Sequence, residues 1–165
     1  SQAWTFWKTF IDVSRNIQGR FSGIQMLLTA HAARDDKTGK YTPEAEAFLC
    51  DMAKRLKLFH TLHWASQALR FRILLTDKGW DQMVARGLVT EEERQRLQAL
   101  RLGPTQKQIG VLQSMVVATQ KALKDKKVIG MPTSLLEKKV MEEFCILRGN
   151  AGNRKVIDRE LTRIY

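Results

Sequence analysis

Residues Gly79–Leu100, GWDQMVARGLVTEEERQRLQAL, read as a short helix, a glycine stop and a capped second helix. Met83 and Val84 form an apolar pair ahead of Arg86 and Gly87, and a glycine takes the left-handed backbone that ends a helix without steric cost. Thr90 followed by Glu93 has the capping-box spacing, in which a hydroxyl accepts a hydrogen bond from the amide three residues on. The stretch is a helical corner. Corners of this kind recur in helical proteins of every function, so this one sets a fold class and leaves the activity open. The rest of the chain agrees: 10 Gly and 3 Pro among 165 residues, with few β-branched runs, point to helices throughout.

Upstream, Phe6, Phe10, Val13, Ile17, Phe21, Ile24, Leu28 and Ala32 recur every three or four residues and predict one amphipathic helix over residues 3–33. Gly19 and Gly23 interrupt it. Each costs about 1 kcal/mol against Ala, tolerable mainly where another helix comes close. After a polar loop at 35–41, Thr42 as N-cap, Pro43 in the first turn and Glu44 at the positive end of the dipole open a second helix. Phe48, Met52, Leu56, Phe59, His63, Ala68 and Ile73 carry its apolar side to near Leu75, a strut about 45 Å long at about 1.5 Å per residue.

Downstream, Gly103 and Pro104 break the chain, and Thr105 to near Lys127 forms a helix with Ile109, Leu112, Met115, Val116 and Leu123 on one side. Gly130, Met131 and Pro132 make a sharp break. Thr133 or Ser134 caps the next helix, Ser134 with Glu137 again at box spacing, and that helix ends near Leu147. A GNAGN turn at 149–153 precedes a last basic helix over 154–165. The expected architecture is an all-α, elongated bundle with two long helices and several shorter ones. A hydrophobic content of 44% over 165 residues fits one core, hence a single domain over residues 1–165.

Lys and Arg number 28 against 17 Asp and Glu, a net charge of +11, so the partner should be anionic: nucleic acid, a negatively charged membrane surface or small anions. Cys50 and Cys145 carry no metal pattern and read as small buried hydrophobes in a reducing compartment. The longest run free of charge, Gln108–Gln120, is too short and too polar to cross a bilayer, which takes about 20 apolar residues. Trp4, Phe6 and Trp7 near one end and Tyr165 at the other are of the types enriched at the headgroup level, though three aromatics in a first turn also suit packing on the core. The opening SQAWTFW is neither a basic leader nor a cleavable signal, and the chain reads as an excerpt.

His60 and His63 lie three apart on one helix, a spacing that presents two imidazoles to a metal, yet no third ligand is indicated and Phe59, Leu62 and Trp64 surround them. They read as packed histidines. Glu91, Glu92 and Glu93 at a helix start are explained by the macrodipole. Neither cysteine has an activating neighbour and no phosphate loop of standard pattern occurs, so no enzyme is expected. Basic residues do alternate with aromatics: Lys54, Arg55 and Lys57 near Phe59, and Arg70 and Arg72 around Phe71. In an RNA binder such residues contact phosphates and stack on bases, but no RNA-binding signature accompanies them.

The corner MVARGLVTEEE at 83–93 and the break VIGMPTSLL at 128–136 resemble the bestrophin anion channels, in the cytosolic stretch between their second and third membrane segments. The resemblance covers nearly the whole chain. Trp4–Trp7 resembles the aromatic pair leaving the membrane, GRFSGIQMLLTAHA from Gly19 the entry into the cytosol, and Leu56–Leu74 the long central helix, with Trp64, Ala65, Ser66 and Arg70 or Arg72 at its distinctive positions. What this implies is the cytosolic vestibule of a homopentameric channel for chloride or bicarbonate, on the cytosolic side of a plasma or organelle membrane and joined to it by flanking segments absent here. The residue after the proline lines the narrow aperture, here Thr133, with Pro132 and Ile129 beside it. Threonine departs from the usual apolar residue there. Arg70, Arg72, Lys126 and Lys127 are the basic residues expected to attract anions or face lipid. No cofactor is expected within this chain; any Ca²⁺ of the parent protein belongs to residues outside it. The competing reading is a soluble basic helical module that binds RNA or an acidic protein, nucleic acid being the less favoured partner.

Overall fold

The computed structural model describes the backbone of residues 2–67, 69–104 and 106–164, and the side chains of residues 4, 5, 8, 12, 15–66, 72–104 and 106–149. Six α-helices occur among the described residues: α1 (Gln2–His31), α2 (Pro43–Gln67), α3 (Asp77–Ala85), α4 (Glu91–Ala99), α5 (Lys107–Leu123) and α6 (Ser134–Ile164). A 3₁₀ turn, Leu69–Leu75, joins α2 to α3. Strand-like pairing among these residues is confined to two isolated bridges, Ala32 with Ile129 and Arg34 with Tyr41. The fold is all-α.

The apolar spacing of α1 does what its period requires: Ile17, Phe21, Ile24, Leu28 and Ala32 are all buried. Phe6, Phe10 and Val13 lie outside the described side chains. α1 packs on α6, which buries Leu136, Val140, Phe144 and Leu147 at the same spacing. The two helices run antiparallel. The Ala33 amide donates to the Val128 carbonyl at 2.7 Å near one end, and Arg20 pairs with Glu143 at 3.1 Å farther along. α2 lies against both and against α5, and Met52, Phe59, Leu62, Met115, Ile129 and Leu147 form the fully buried centre.

The corner forms as its sequence dictates. Gly87 has φ +72°, its amide donates to the Val84 carbonyl, and the Leu88 amide donates to that of Met83, each at 3.0 Å. These two bonds are the Schellman pair that closes a helix on a left-handed residue. Thr90 caps α4, its hydroxyl accepting from the Glu93 amide at 3.1 Å.

Four expectations need correction. α2 ends at Gln67 after 25 residues, about 37 Å at about 1.5 Å per residue, not near Leu75. The 3₁₀ turn that follows has three residues per turn, so the 3.6-residue phase is lost and Ile73, expected on the apolar side, is 67% exposed. The second concerns the GNAGN stretch, which is helical backbone: α6 continues to Ile164. Its glycines weaken a helix by about 1 kcal/mol each, but no proline interrupts the stretch, and only proline removes a backbone donor. The long pair is therefore α1 and α6, of 30 and 31 residues. The third is that Cys50 and Cys145 are exposed thiols, not buried hydrophobes.

The fourth is that Gly19 and Gly23 do not mark a close helix crossing within the chain. A Cβ at Gly23 would sit at ordinary contact, 3.5 Å from a Glu143 carboxylate oxygen, and one at Gly19 would meet nothing within 4 Å.

Candidate anion-facing site at the α5–α6 bend

The bend is built from its own backbone bonds. Lys124 ends α5, the Asp125 carbonyl accepts from the amides of Val128 and Ile129, and the Asp125 carboxylate accepts from the Lys127 amide at 2.9 Å. The bend is anchored to the loop between α1 and α2: the Thr42 hydroxyl donates to the Lys127 carbonyl at 2.5 Å while accepting from the Ala45 amide at 3.1 Å. Thr42 thus caps α2, as expected, and also holds the bend in place.

Of the three residues expected at an aperture, the structure separates one. Ile129 is 0% exposed, so its side chain belongs to the core; the bridge to Ala32 turns it inward, and it is corrected from a lining residue to an anchor. Pro132 and Thr133 are exposed, and Met131 beside them is 82% exposed. Thr133 is the N-cap of α6: its hydroxyl accepts from the Leu136 amide at 3.1 Å and its carbonyl from the Glu137 amide at 3.1 Å. Ser134 is the first helical residue, so the box expected between Ser134 and Glu137 gives way to the Thr133 cap. A cleft of about 360 Å³ opens here, lined by Gln120, Leu123, Lys124, Pro132, Thr133, Ser134 and Glu137. The positive end of α6 and the Lys124 ammonium favour an anion in it, and Glu137 opposes them.

The basic residues fall into two groups at opposite ends of α2. Lys126 and Lys127 are exposed in the bend, next to the start of α2. Arg72 is exposed on the 3₁₀ turn after the far end of α2, while the Arg70 side chain lies outside the described residues.

Sequence reasoning missed a second site at the corner, a cavity of about 330 Å³ between α2 and α4. Arg55 reaches the Asp51 carboxylate at 2.8 Å, the Ser114 hydroxyl at 2.7 Å and Glu93 at 3.5 Å, and Arg96 holds Glu93 at 2.6 Å. The Glu93 carboxylate serves these cations; its side of a reciprocal capping box is not formed among the bonds seen. These charges neutralise one another, so the cavity ties the corner to α2 and α5 and is a poor trap for an ion. An Arg four residues after an Asp on a helix was the available signal, but its Glu93 partner lies thirty-eight residues on.

His60 and His63 are packed, as read. The Trp64 indole N–H donates to His60 Nε2 at 2.5 Å, the Phe21 ring meets His60 edge-on at 5.7 Å, and His63 stacks on Phe59. Among the described residues no group of three or more His, Cys, Asp or Glu is placed to hold a metal. Burial pushes the His60 imidazole below its ordinary value of 6.5. The unfolded chain therefore takes up this proton first as pH falls, so the contribution of His60 is complete above pH 6.5 and is lost below it through the folded value. Melting temperatures of the wild type and His60→Gln, compared at pH 7.5 and pH 5, should differ most at the higher pH; a gap that does not change with pH contradicts the assignment.

The fold and the bend together define a class: an all-α bundle whose two longest helices run antiparallel and whose exposed, basic, proline-marked bend lies beside one end of that pair. Comparison with protein-family models, with curated proteins and with solved structures finds no match for this chain.

Proposed function

We propose that the chain forms the cytosolic vestibule and aperture of a bestrophin-like pentameric channel for chloride or bicarbonate. One observation carries the reading: α1 and α6 are antiparallel, with Ala33 beside Val128 and Arg20 beside Glu143. The first turns of α1 and the last turns of α6 then lie on one side of the bundle, and the Met131–Thr133 bend lies at the other. A domain inserted between two membrane segments needs both connections on one side, and a ring that forms its exit belongs at the far end. No helix among the described residues is long and apolar enough to cross a membrane, so in this reading the flanking segments span it.

The separation of the basic residues fits the same orientation. Phe21 of α1 meets Phe59 of α2, and the Ala33 carbonyl accepts from the Thr42 amide, so α2 runs back along α1 toward the connections. Arg72 then lies toward the lipid, and Lys126 and Lys127 stand at the exit, where positive potential raises the local anion concentration.

A ring of threonines is less dehydrating than a ring of isoleucines, and hydrophobic constrictions gate by dewetting. The full-length parent, reconstituted in liposomes, should pass anions, and Thr133→Ile should lower single-channel conductance. Thr133→Ile also removes the α6 cap, at about 1 kcal/mol. Thr133→Ser keeps the cap and the hydroxyl, and should leave conductance near the wild-type value. Conductance and selectivity unchanged in Thr133→Ile would take Thr133 out of the pore. A parent that stays in solution and passes no anion would favour the basic binding module instead.

A further inference from the structure

We propose that the bend end of the bundle carries a docking surface for an acidic polypeptide segment, made jointly by residues 34–41 and 124–127. This holds whether or not the chain belongs to a channel. The two loops are some ninety positions apart in sequence and are joined by the bond from the Ala33 amide to the Val128 carbonyl and that from the Thr42 hydroxyl to the Lys127 carbonyl. Together they bring Lys37, Lys40, Lys124, Lys126 and Lys127 to one end, all exposed. Among the described residues none of these five lysines has an ion-pair partner.

Three carboxylates, Asp35, Asp36 and Asp125, stand in these loops against the five lysines and Arg34. The Asp35 carboxylate accepts from the Lys37 and Thr38 amides at 2.8 and 3.0 Å, and that of Asp125 accepts from the Lys127 amide. Asp36 alone in these two loops keeps an exposed carboxylate without such a bond. Six cations against three carboxylates leave a local excess of positive charge on two short loops whose backbones are internally bonded, and a preorganised backbone docks a partner at less ordering cost than a flexible one.

The chemistry favours a polypeptide over the other polyanions. Single-stranded RNA is held by aromatic faces on which bases stack, and the one aromatic of these loops, Tyr41, has its ring covered by the Arg34 guanidinium at 4.1 Å. A lipid surface is broad and cannot enter the cleft rimmed by Lys124, whereas a side chain can. Met131 and Leu135, 82% and 67% exposed beside the bend, add apolar contact suited to a segment that mixes acidic and apolar residues.

The test uses the whole chain and a fluorescently labelled peptide of alternating glutamate and leucine, with binding read by anisotropy. Reversing four loop charges together (Lys37→Glu, Lys40→Glu, Lys126→Glu and Lys127→Glu) should weaken binding roughly tenfold or more, and added salt should weaken the wild type. Reversing four exposed lysines elsewhere (Lys8→Glu, Lys54→Glu, Lys57→Glu and Lys78→Glu) should change it less than about twofold. The same four loop positions changed to Gln give the result if the reversed chain does not fold. Equal weakening by both sets, no binding by the wild type, or tighter binding to an oligouridylate or to phosphatidylserine vesicles than to the peptide overturns the proposal.

Discussion

Gly79→Ala should destabilise the chain by about 3 kcal/mol or more, the largest effect expected of any single added methyl at the described glycines. The added Cβ would lie 2.5 Å from both the Ile73 carbonyl oxygen and the Leu74 Cα, and 2.6 Å from the Leu74 carbonyl carbon. These are backbone atoms, so no rotamer change relieves the overlap. The 3₁₀ turn is held there by Thr76, whose hydroxyl donates to the Ile73 carbonyl at 2.6 Å and accepts from the Gly79 amide at 3.3 Å, capping α3. The methyl must therefore either lift the turn off α3 or break the cap. Gly110→Ala is the contrast: its Cβ would also be too close, at 2.8 Å from Leu97 and 2.9 Å from Leu100, but to the ends of flexible side chains that can move. It should cost about 1–2 kcal/mol. Urea unfolding of the two variants checks the order, and a Gly79→Ala chain within about 0.5 kcal/mol of the wild type would show that the turn does not sit on α3.

This contact also shows what the sequence could and could not tell. Where a pattern is local and periodic it was legible: Ile17, Phe21, Ile24 and Leu28 in α1, the Gly87 stop, and the caps at Thr42 and Thr90 all follow from rules spanning fewer than eight residues. The end of α2 was not legible, because a run such as LRFRILL has apolar residues enough for either helix type. What accompanies the 3₁₀ form is local but not periodic: the Thr76 hydroxyl bonds both the Ile73 carbonyl and the Gly79 amide, and Ile73 and Leu74 come close to Gly79, none of which an apolar pattern shows. The bend was half legible. Its proline and capping threonine marked it, but the inward turn of Ile129 depends on the bridge to Ala32, nearly a hundred residues away. The Arg55–Glu93 pair and the meeting of the two basic loops are hidden for the same reason: periodicity says which side of a helix is apolar, not which helix it faces.

Phe59→Ala is the second large effect, expected to cost about 3–5 kcal/mol through lost burial and the cavity left behind. Phe59 is 1% exposed and sits where α1, α2 and the histidines meet. Its ring meets Phe21 edge-on at 5.8 Å and 88°, and lies parallel to His63 at 6.2 Å and 5°. Truncation removes both contacts, and edge-to-face pairs contribute about 0.5–1.5 kcal/mol beyond area. A chain of this size loses roughly 2–4 °C of melting temperature per kcal/mol, so a fall of about 10 °C is expected by calorimetry. Phe59→Leu keeps most of the volume and should lose less than half as much. A double-mutant cycle with Phe21→Ala isolates the ring pair, and its coupling should fall within about 0.5–1.5 kcal/mol. Coupling near zero would mean that Phe59 fills space without linking α1 to α2. The distinction reaches the bend, because the α1–α2 seam sets where Ala33 and Thr42 stand, and those two residues hold Val128 and Lys127 in place. If the seam is a true pairwise link, Phe59→Ala should also weaken the acidic peptide at the basic loops, although it touches none of their lysines.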